Sequence, residues 1–291
     1  MPEVGGRRLE PGAWLGLGLV ASIALVSLGA PWLAPHDPLA LHTAPSLCPP
    51  SSACWLGADV FGRDQLSRLI WGGRVSFAIG GLSMGIALTL GCALGALAGY
   101  LGGWVDRGVA ALADLFLALP RLVLVLAVIG LLRVTGGASL IAVVVVLGLT
   151  GWMSMARMVR AQLQGLREGS LARACRALGL PTWRILLVHL LPQALPAVLV
   201  HATLGLGRVV LIEASLSFLG LGVPQPVASW GSSIALGRAW LPGAWWLVCF
   251  PTLAVLALVV GLELLGGGLR EAFAGGEPSG AEVSPGSAPS G

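Results

Sequence analysis

The sequence contains no lysine, a single tyrosine and few charged side chains of either sign. Only 10% of its 291 residues are charged, against roughly 25% in an average soluble domain. Its 17 basic and 13 acidic side chains are too few to cover the surface of a globule of this size. This scarcity of charge excludes a soluble enzyme, a disordered chain and a coiled coil.

Motifs for soluble chemistry are also missing. The sequence has no G-x-x-x-x-G-K-S/T phosphate-binding loop, no zinc-ligand spacing and no convincing dinucleotide fingerprint. His36, His42 and His201 form no ligand cluster, and the net charge of +4 is small and spread along the chain. We therefore predict no catalytic residue, no cofactor, no bound metal and no nucleic-acid partner.

Long apolar runs are what the sequence has instead. Hydrophobic residues make up 56% of the chain, and the mean hydropathy is +0.88. Six runs have about the 20 residues needed to cross a 30 Å hydrocarbon core; they cover residues 13–33, 75–101, 109–132, 138–156, 194–219 and 244–265. The predicted fold is an all-α membrane protein with six transmembrane helices.

The first run is predicted to be a retained transmembrane helix. It is longer than the 7–15 apolar residues of a signal peptide, and Trp14 and Trp32 near its ends fit two aromatic belts. Around the spans we predict a cytoplasmic tail at 1–12, an extracytoplasmic loop at 34–74, a five-helix core at 75–270 and a disordered cytoplasmic tail at 271–291.

Arginine placement predicts the orientation. With the N-terminus in the cytoplasm, ten arginines lie in cytoplasmic segments: Arg7, Arg8, Arg107, Arg157, Arg160, Arg167, Arg173, Arg176, Arg184 and Arg270. Five lie in outer segments: Arg63, Arg68, Arg74, Arg133 and Arg238. Because cytoplasmic segments carry the excess of basic residues in membrane proteins, both termini are predicted to be cytoplasmic.

The second span carries Gly91, Gly95 and Gly99 at four-residue spacing. These glycines fall along one helical face, where the backbone of another helix can approach closely. We interpret them as a contact within the chain rather than as a dimerisation face.

A short amphipathic helix is predicted at 171–178. Ser170 precedes it as an N-cap, and Gly179 follows at the C′ position. One face carries Leu171, Ala174, Cys175 and Leu178, while Arg173 and Arg176 lie off that face. A helix this short is not stable alone. It could lie on the lipid interface or dock into a soluble partner, and the pattern leaves both open.

Ionisable residues inside spans are costly and usually face protein or water. Asp114 and Arg121 are expected to share a face of the third helix, which Pro120 is expected to kink. Structural pairing and lining of a pathway are both open for Arg208 and Glu213 of the fifth span. Ser217 is a candidate pathway or inter-subunit residue, and Glu263 of the sixth span could be either interfacial or pathway-facing.

The predicted outer side carries two further features. Cys48 and Cys54 share one loop on the oxidising side, so a disulfide between them and two free thiols are both open. Trp240, Trp245 and Trp246 are predicted to form an outer aromatic belt.

The 157–192 segment contains R-A-C-x-x-x-G at 173–179 and H-x-L-P at 189–192. This pattern resembles the EAA loop of ABC-importer permeases, with Arg173 in place of glutamate and Cys175 in place of alanine. The segments G-A-D-V-F-G-R-D-x-x-S-R at 57–68, E-A-S-L-S-F-L-G-L-G at 213–222 and L-G-G-G-L-R at 265–270 are similar to motifs of one subfamily. That subfamily is the second permease subunit of dipeptide, oligopeptide and nickel ABC importers, and the resemblance covers about residues 10–273.

The resemblance implies an ABC type I importer permease in the inner membrane. Such a chain forms half of a translocation pathway for peptides or related small solutes. It hydrolyses no ATP itself, and its partners are a homologous second permease, two ABC ATPases, an extracytoplasmic solute-binding protein and membrane lipid. By position in the family's loop, the residues implied to couple to an ATPase are Leu171, Arg173, Ala174, Cys175, Leu178 and Gly179.

The solute stays open among dipeptides, oligopeptides, nickel complexes and glutathione-like ligands. The alternative function is an ion-coupled secondary transporter that uses the charged residues of the spans. The sequence lacks the inverted repeat that such transporters often show, and that function gives the arginine-rich loop no role.

Overall fold

The structure is a computed structural model that describes residues 3–4, 7–8, 10–137 and 139–274. Most of the tail predicted at 271–291 therefore lies outside the described residues. The first described element is an antiparallel pair of two-residue strands, β1 (Glu3–Val4) and β2 (Arg7–Arg8). Everything after it that has regular structure, within the described residues, is helical.

The helices follow in chain order. The first six are α1 (Pro11–Leu28), α2 (Ala30–Leu33), α3 (Gln65–Leu101), α4 (Gly103–Leu117), α5 (Arg121–Val134) and α6 (Leu140–Leu149). The others described are α7 (Trp152–Arg167), α8 (Ser170–Ala177), α9 (Thr182–Arg184), α10 (Leu191–Phe218), α11 (Trp230–Gly237) and α12 (Trp246–Ala274). A π-helical turn at Ile185–Leu190 joins α9 to α10, and a 3₁₀ turn at Arg238–Trp240 follows α11.

Five described helical stretches are long and apolar enough to cross a membrane: Pro11–Leu28, Gln65–Leu101, Leu140–Arg167, Thr182–Phe218 and Trp246–Phe273. The pair α4 and α5 makes a sixth candidate if it counts as one span, although it bends by 82°. Pro120 lies in the break, where its ring is incompatible with a continuous helix. The six predicted spans therefore each have a counterpart, and the third is broken where a kink is predicted.

The predicted boundary of the second span is wrong. Helix α3 begins at Gln65 rather than Val75, so the preceding loop ends at Asp64 and not at residue 74. The Asp64 side chain caps the helix by accepting a hydrogen bond from the Ser67 N–H at 2.8 Å. Arg68 in the first turn is 1% exposed. The hydropathy pattern misses this turn because its polar side chains are buried against the loop.

The loop between α2 and α3 folds around a buried carboxylate. The Nε of Arg63 donates to Asp59 at 2.6 Å, and the Nε of Arg68 lies 3.8 Å from the same carboxylate. The indole of Trp246, on α12, donates to the Ala58 carbonyl at 3.2 Å. Trp246 is only 4% exposed, so its predicted place in an aromatic belt is wrong: it packs against this loop.

Cys48 and Cys54 lie in the same loop as free thiols, with Cys54 buried. The pKa of the Cys54 thiol is raised, first by a hydrogen bond with Cys48 and then by burial. A disulfide between these two cysteines stays a prediction.

Helices continue beyond the apolar runs from which the spans were predicted. Helix α7 extends through the basic residues to Arg167, and α12 reaches Ala274 rather than Leu265. The fifth span starts at Thr182 instead of Ala194. Each extension is amphipathic or charged. Its hydropathy is therefore low, although the backbone hydrogen bonding of the helix continues through it.

The α3–α7 contact is a direct backbone approach at three glycines. A Cβ added to Gly91 would lie 2.5 Å from the Met155 Cβ, and one added to Gly95 would lie 2.5 Å from the Ala156 carbonyl oxygen. Gly99 meets the Arg160 carbonyl oxygen at 2.7 Å in the same way. The interpretation of these glycines as a contact within the chain is confirmed.

We predict that Gly95→Ala destabilises the protein, because its methyl group would collide with α7 backbone that cannot move independently. The expected cost is about 1–3 kcal/mol, as for other overpacked contacts. The matched control is Gly85→Ala on the same helix, where nothing lies within 4 Å of an added Cβ. Thermal unfolding of the two detergent-solubilised variants checks this, and equal melting temperatures would contradict the packing argument.

Candidate functional site

Helix α8 is a two-turn helix defined at both ends by the backbone. Gly169 is its N-cap, with an extended conformation and no side-chain cap, so the predicted N-cap Ser170 is instead its first residue. At the other end Gly179 has a φ of +71° and donates its N–H to the Arg176 carbonyl at 3.0 Å. The Leu180 N–H donates to the Cys175 carbonyl at 3.1 Å. This pair of bonds is a Schellman motif, in which glycine takes the left-handed position.

The face of α8 that packs on the rest of the chain differs from the predicted one. Ala172 is fully buried and Cys175 is 5% exposed, in one cluster with Leu163 of α7 and Ile185 of the π turn. Cys175, which was predicted on the docking face, is therefore turned inward. The whole apolar stripe was predicted to contact a partner protein, but Cys175 packs against α7 and the π turn of the same chain.

Apart from Ala172 and Cys175, the residues of α8 and of the turn after it are accessible. Leu178 is 79% exposed and Leu171 is 43% exposed, and the neighbouring accessible residues are Arg173, Ala174 and Gly179. This set, Leu171, Arg173, Ala174, Leu178 and Gly179, is called the α8 outer face below. It mixes apolar and basic side chains, so it is a surface suited to a protein partner.

Polar contacts fix α8 to the ends of two spans. The Arg176 guanidinium donates to the Arg167 carbonyl at the end of α7 at 3.1 Å. Arg167 in turn donates to the Tyr100 carbonyl at the end of α3 at 3.0 Å. Hydrogen bonds and the packing of Ala172 and Cys175 thus both connect α8 to the ends of α7 and α3.

Two ion pairs join α4 to α7. Arg157 pairs with Asp114, and Arg160 pairs with Asp106, with a second hydrogen bond from Arg160 to Asp106 at 2.8 Å. The expectation that Asp114 and Arg121 share one helical face is wrong. The break at Pro120 places them on two helices that differ in direction by 82°.

Glu213 and Ser217 lie inside the chain. Glu213 is 1% exposed and accepts hydrogen bonds from Ser217 Oγ at 2.9 Å and Ser229 Oγ at 3.1 Å. Ser229 is also the N-cap of α11, in a capping box with Ser232. Of the two roles left open for Glu213, the contacts support structural pairing, since the carboxyl fastens α10 to α11. Ser229 was not singled out as a partner of Glu213 from the sequence, because its N3 residue is Ser232 rather than the Glu or Gln of the usual capping-box signature.

Arg208 and Glu263 are accessible on α10 and α12, respectively. Arg208 lines a cavity of about 410 Å³ together with Arg121, Thr150 and Ser154. Arg121 donates to the Leu147 carbonyl at 3.0 Å. Among residues 10–137 and 139–274 there is no group of three or more histidine, cysteine or acidic side chains that could hold a metal ion.

Two family models match the chain. The model described as "Binding-protein-dependent transport system inner membrane component" matches residues 91–273. The model described as "N-terminal TM domain of oligopeptide transport permease C" matches residues 8–50. The first covers the described structure from the glycines of α3 to the end of α12, and thus includes α8, Glu213 and the cavity.

Curated relatives match over most of their length. The chain is 35% identical over 264 residues to a probable D,D-dipeptide transport system permease protein of Escherichia coli (strain K12), covering 90% of this chain and 87% of the relative. It is 37% identical to a di/tripeptide transport system permease protein of Pseudomonas aeruginosa (strain UCBPP-PA14), covering 90% and 87%. It is 36% identical to a nickel transport system permease protein of Escherichia coli (strain K12), covering 88% and 91%.

A solved structure shares the fold. A chain of the inward-facing MetNI methionine ABC transporter superposes with a TM-score of 0.59 at 24% identity, covering 71% of this chain and 96% of that chain. The match to the family model over residues 91–273 and the relatives at about 35% identity over 90% of the chain establish the assignment. The chain belongs to the family of binding-protein-dependent transport system inner membrane components, and it is an ABC importer permease subunit.

Proposed function

We propose that this permease forms one half of the translocation pathway of an ATP-driven importer for peptides or related small solutes. The other half is a homologous second permease. The names of the relatives, which specify D,D-dipeptide, di/tripeptide and nickel transport, support a small solute of this kind. The observation that carries the proposal is α8: a helix bounded by Gly169 and Gly179, fixed to the spans on one side and accessible on the other.

The α8 outer face is proposed to dock into a cleft of a cytosolic ATPase. Its inner side, through Ala172 and Cys175, moves with α7 and with the π turn that begins the fifth span. Closure of two ATPases on ATP would shift α8 as a rigid body, and the attached spans would rotate with it. In this arrangement the ATPases hydrolyse ATP, and the permease contributes the moving pathway.

The remaining partners follow from the same arrangement. An extracytoplasmic solute-binding protein delivers the solute to the outer ends of the spans, and two ATPases bind from the cytoplasm. Both termini are proposed to be cytoplasmic, because the ten-to-five distribution of arginines favours that orientation. The loop around Asp59 then lies outside and α8 lies inside.

We predict that Ala174→Trp strongly reduces coupled transport while leaving insertion intact. The indole would overfill the α8 outer face without touching the inner face that holds the helix. Uptake and ATP hydrolysis by the assembled complex should fall at least about tenfold, as for overpacking that costs 1–3 kcal/mol at an interface. Co-purification of the ATPases with the tagged permease measures docking directly.

Val134→Trp is the matched control for that substitution. Val134 is 86% exposed at the far end of α5, so the same indole there should leave ATPase binding unchanged. Full retention of both ATPases and of uptake in Ala174→Trp would contradict the docking proposal.

Arg173→Ala tests the role of charge on the α8 outer face. If Arg173 pairs with an ATPase carboxylate, assembly of this variant becomes weaker and more sensitive to salt.

The orientation is tested by reporter fusions after Gly57 and after Gly169. A periplasm-active enzyme should be active at the first site and inactive at the second, and a cytoplasm-active fluorescent protein should show the reverse. The two sites lie on opposite sides in the proposed topology because α3, the α4–α5 pair and α6–α7 separate them. Fusions that report the same side would rule this topology out.

A disulfide between Cys48 and Cys54 is expected in protein isolated without reductant, because the proposed orientation exposes the loop to an oxidising compartment. The closed loop is short, so its contribution to stability should be modest, about 2 kcal/mol. Intact-mass measurement after alkylation checks the bond. Alkylation of both cysteines before reduction would contradict it.

A further inference from the structure

The cavity between α4, α5, the α6–α7 stretch and α10 contains two arginines and no carboxylate. Arg121 and Arg208 both line it, together with the hydroxyl groups of Thr150 and Ser154, and its volume is about 410 Å³. Within residues 10–137 and 139–274, neither arginine has an acidic side chain within 4 Å. Two like charges thus share one space in the membrane-spanning part of the chain.

Other arginines nearby do have acidic partners, so the lack of a carboxylate is a property of this cavity. On the same α7 that contributes Ser154, Arg157 and Arg160 are each paired with an aspartate of α4. Arg121 makes one hydrogen bond, to the Leu147 carbonyl, and its Nε is buried without a partner in the described part of the chain. A guanidinium has five N–H donors, so most of its capacity is left for another group.

A second cavity repeats the pattern farther along α5. Arg133 and Arg238 line a space of about 530 Å³, also without an acidic side chain. Arg133 is twelve residues from Arg121, which corresponds to a rise of about 18 Å along an α-helix. Arg133 donates to the Gly222 carbonyl at 3.1 Å, and its Nε is buried without a partner among the described residues.

We propose that the two cavities are successive stations for a solute that carries a carboxylate, with Arg121 and Arg208 forming the inner carboxylate site. This inference rests on the proposed function as an importer. Guanidinium groups bind carboxylates with paired, charge-assisted hydrogen bonds. An anion also offsets the cost of holding two cations together inside a membrane.

The arrangement narrows the solute class. A peptide with a free C-terminus fits, whereas a bare divalent cation is repelled at both stations. A metal ion could pass only as a chelate whose ligands leave a net negative charge. A carboxylate fixed on the second permease is the competing occupant of the inner site. A single fixed group cannot serve two stations about 18 Å apart, so the repeat favours a mobile anion.

The first test measures the potential inside the inner cavity. Ser154→Cys is made in a permease whose five native cysteines are replaced by alanine, and the assembled transporter is labelled in membranes. Two methanethiosulfonate reagents are compared, one with a sulfonate and one with a trimethylammonium group. The rate of each reagent at the cysteine is divided by its rate with a small thiol in solution. This normalised rate should be at least about tenfold higher for the sulfonate reagent than for the cationic reagent, because charges in a low-dielectric cleft concentrate counter-ions.

Replacement of both arginines, Arg121→Gln with Arg208→Gln, should abolish that preference at the same cysteine. Arg184→Gln is the control, since Arg184 is an accessible arginine of α9 that does not line the cavity. A ratio that is unaffected by the double substitution would overturn the inference. Absence of labelling by both reagents would overturn it too, because a solute station must be open to water.

The second test asks whether the cavity binds a free carboxylate. N-acetylglycine and its uncharged amide are compared as protectants against N-ethylmaleimide, a neutral reagent, at Ser154→Cys. At tens of millimolar, the acid should slow labelling about threefold or more, as expected when ligand exceeds Kd, and the amide should not. The double arginine variant should lose the protection.

The outcomes separate this inference from the proposed function. Anion preference without protection by N-acetylglycine would mean that a carboxylate of the second permease or another fixed group already occupies the arginines, and the solute site would be refuted. Co-purification of ATPases and ATP hydrolysis by the complex are measured in the same preparations. If those fail in the protein with arginines intact, the importer proposal fails; if they hold while labelling fails, only the carboxylate site fails.

Discussion

The contact between α3 and α7 is the constraint on which the rest of the structure depends. Helices in a bilayer gain little from the hydrophobic effect, so they associate through close packing at small residues. Gly91, Gly95 and Gly99 bring the α3 backbone directly against α7. The basic end of α7 is thereby fixed relative to the centre of the fold, and that end carries Arg160, Arg167 and the connection to α8. The segment that we propose as the coupling element is thus attached to a pair of helices in direct backbone contact.

Buried ionisable groups that connect loops and helices have polar partners in the described part of the chain. Asp59 is surrounded by Arg63 and Arg68, and Glu213 accepts from two hydroxyl groups. These arrangements follow from the cost of an unpaired buried charge. Against that background the two cavities lined by Arg121 with Arg208 and by Arg133 with Arg238 differ, because each holds two arginines and no acidic side chain. An exception of this kind inside a membrane points to a ligand rather than to the stability of the chain.

The sequence predicted the class of fold, the number of spans and the glycine contact, because hydropathy and small-residue spacing report directly on the membrane environment. It failed where polar residues are buried by a partner distant in sequence. The first turn of α3 was missed because Arg68 is covered by the loop, and Trp246 was assigned to lipid although the loop carbonyl of Ala58 binds it. The inward side of Cys175 was missed for a related reason: periodicity identifies an apolar face without identifying what covers it.

The division of α8 into two faces is what allows so short a helix to serve the coupling role that we propose for it. A helix of eight residues has no stability of its own, so a partner that gripped all of its apolar stripe would pull it away from the spans. Ala172 and Cys175 keep part of the stripe for the permease, and the Schellman motif at Gly179 returns the chain directly to the fifth span. The accessible remainder is then available to another protein without loss of the internal attachment. A helix held on one side and accessible on the other moves with whatever binds its accessible side, which is the requirement for a coupling element.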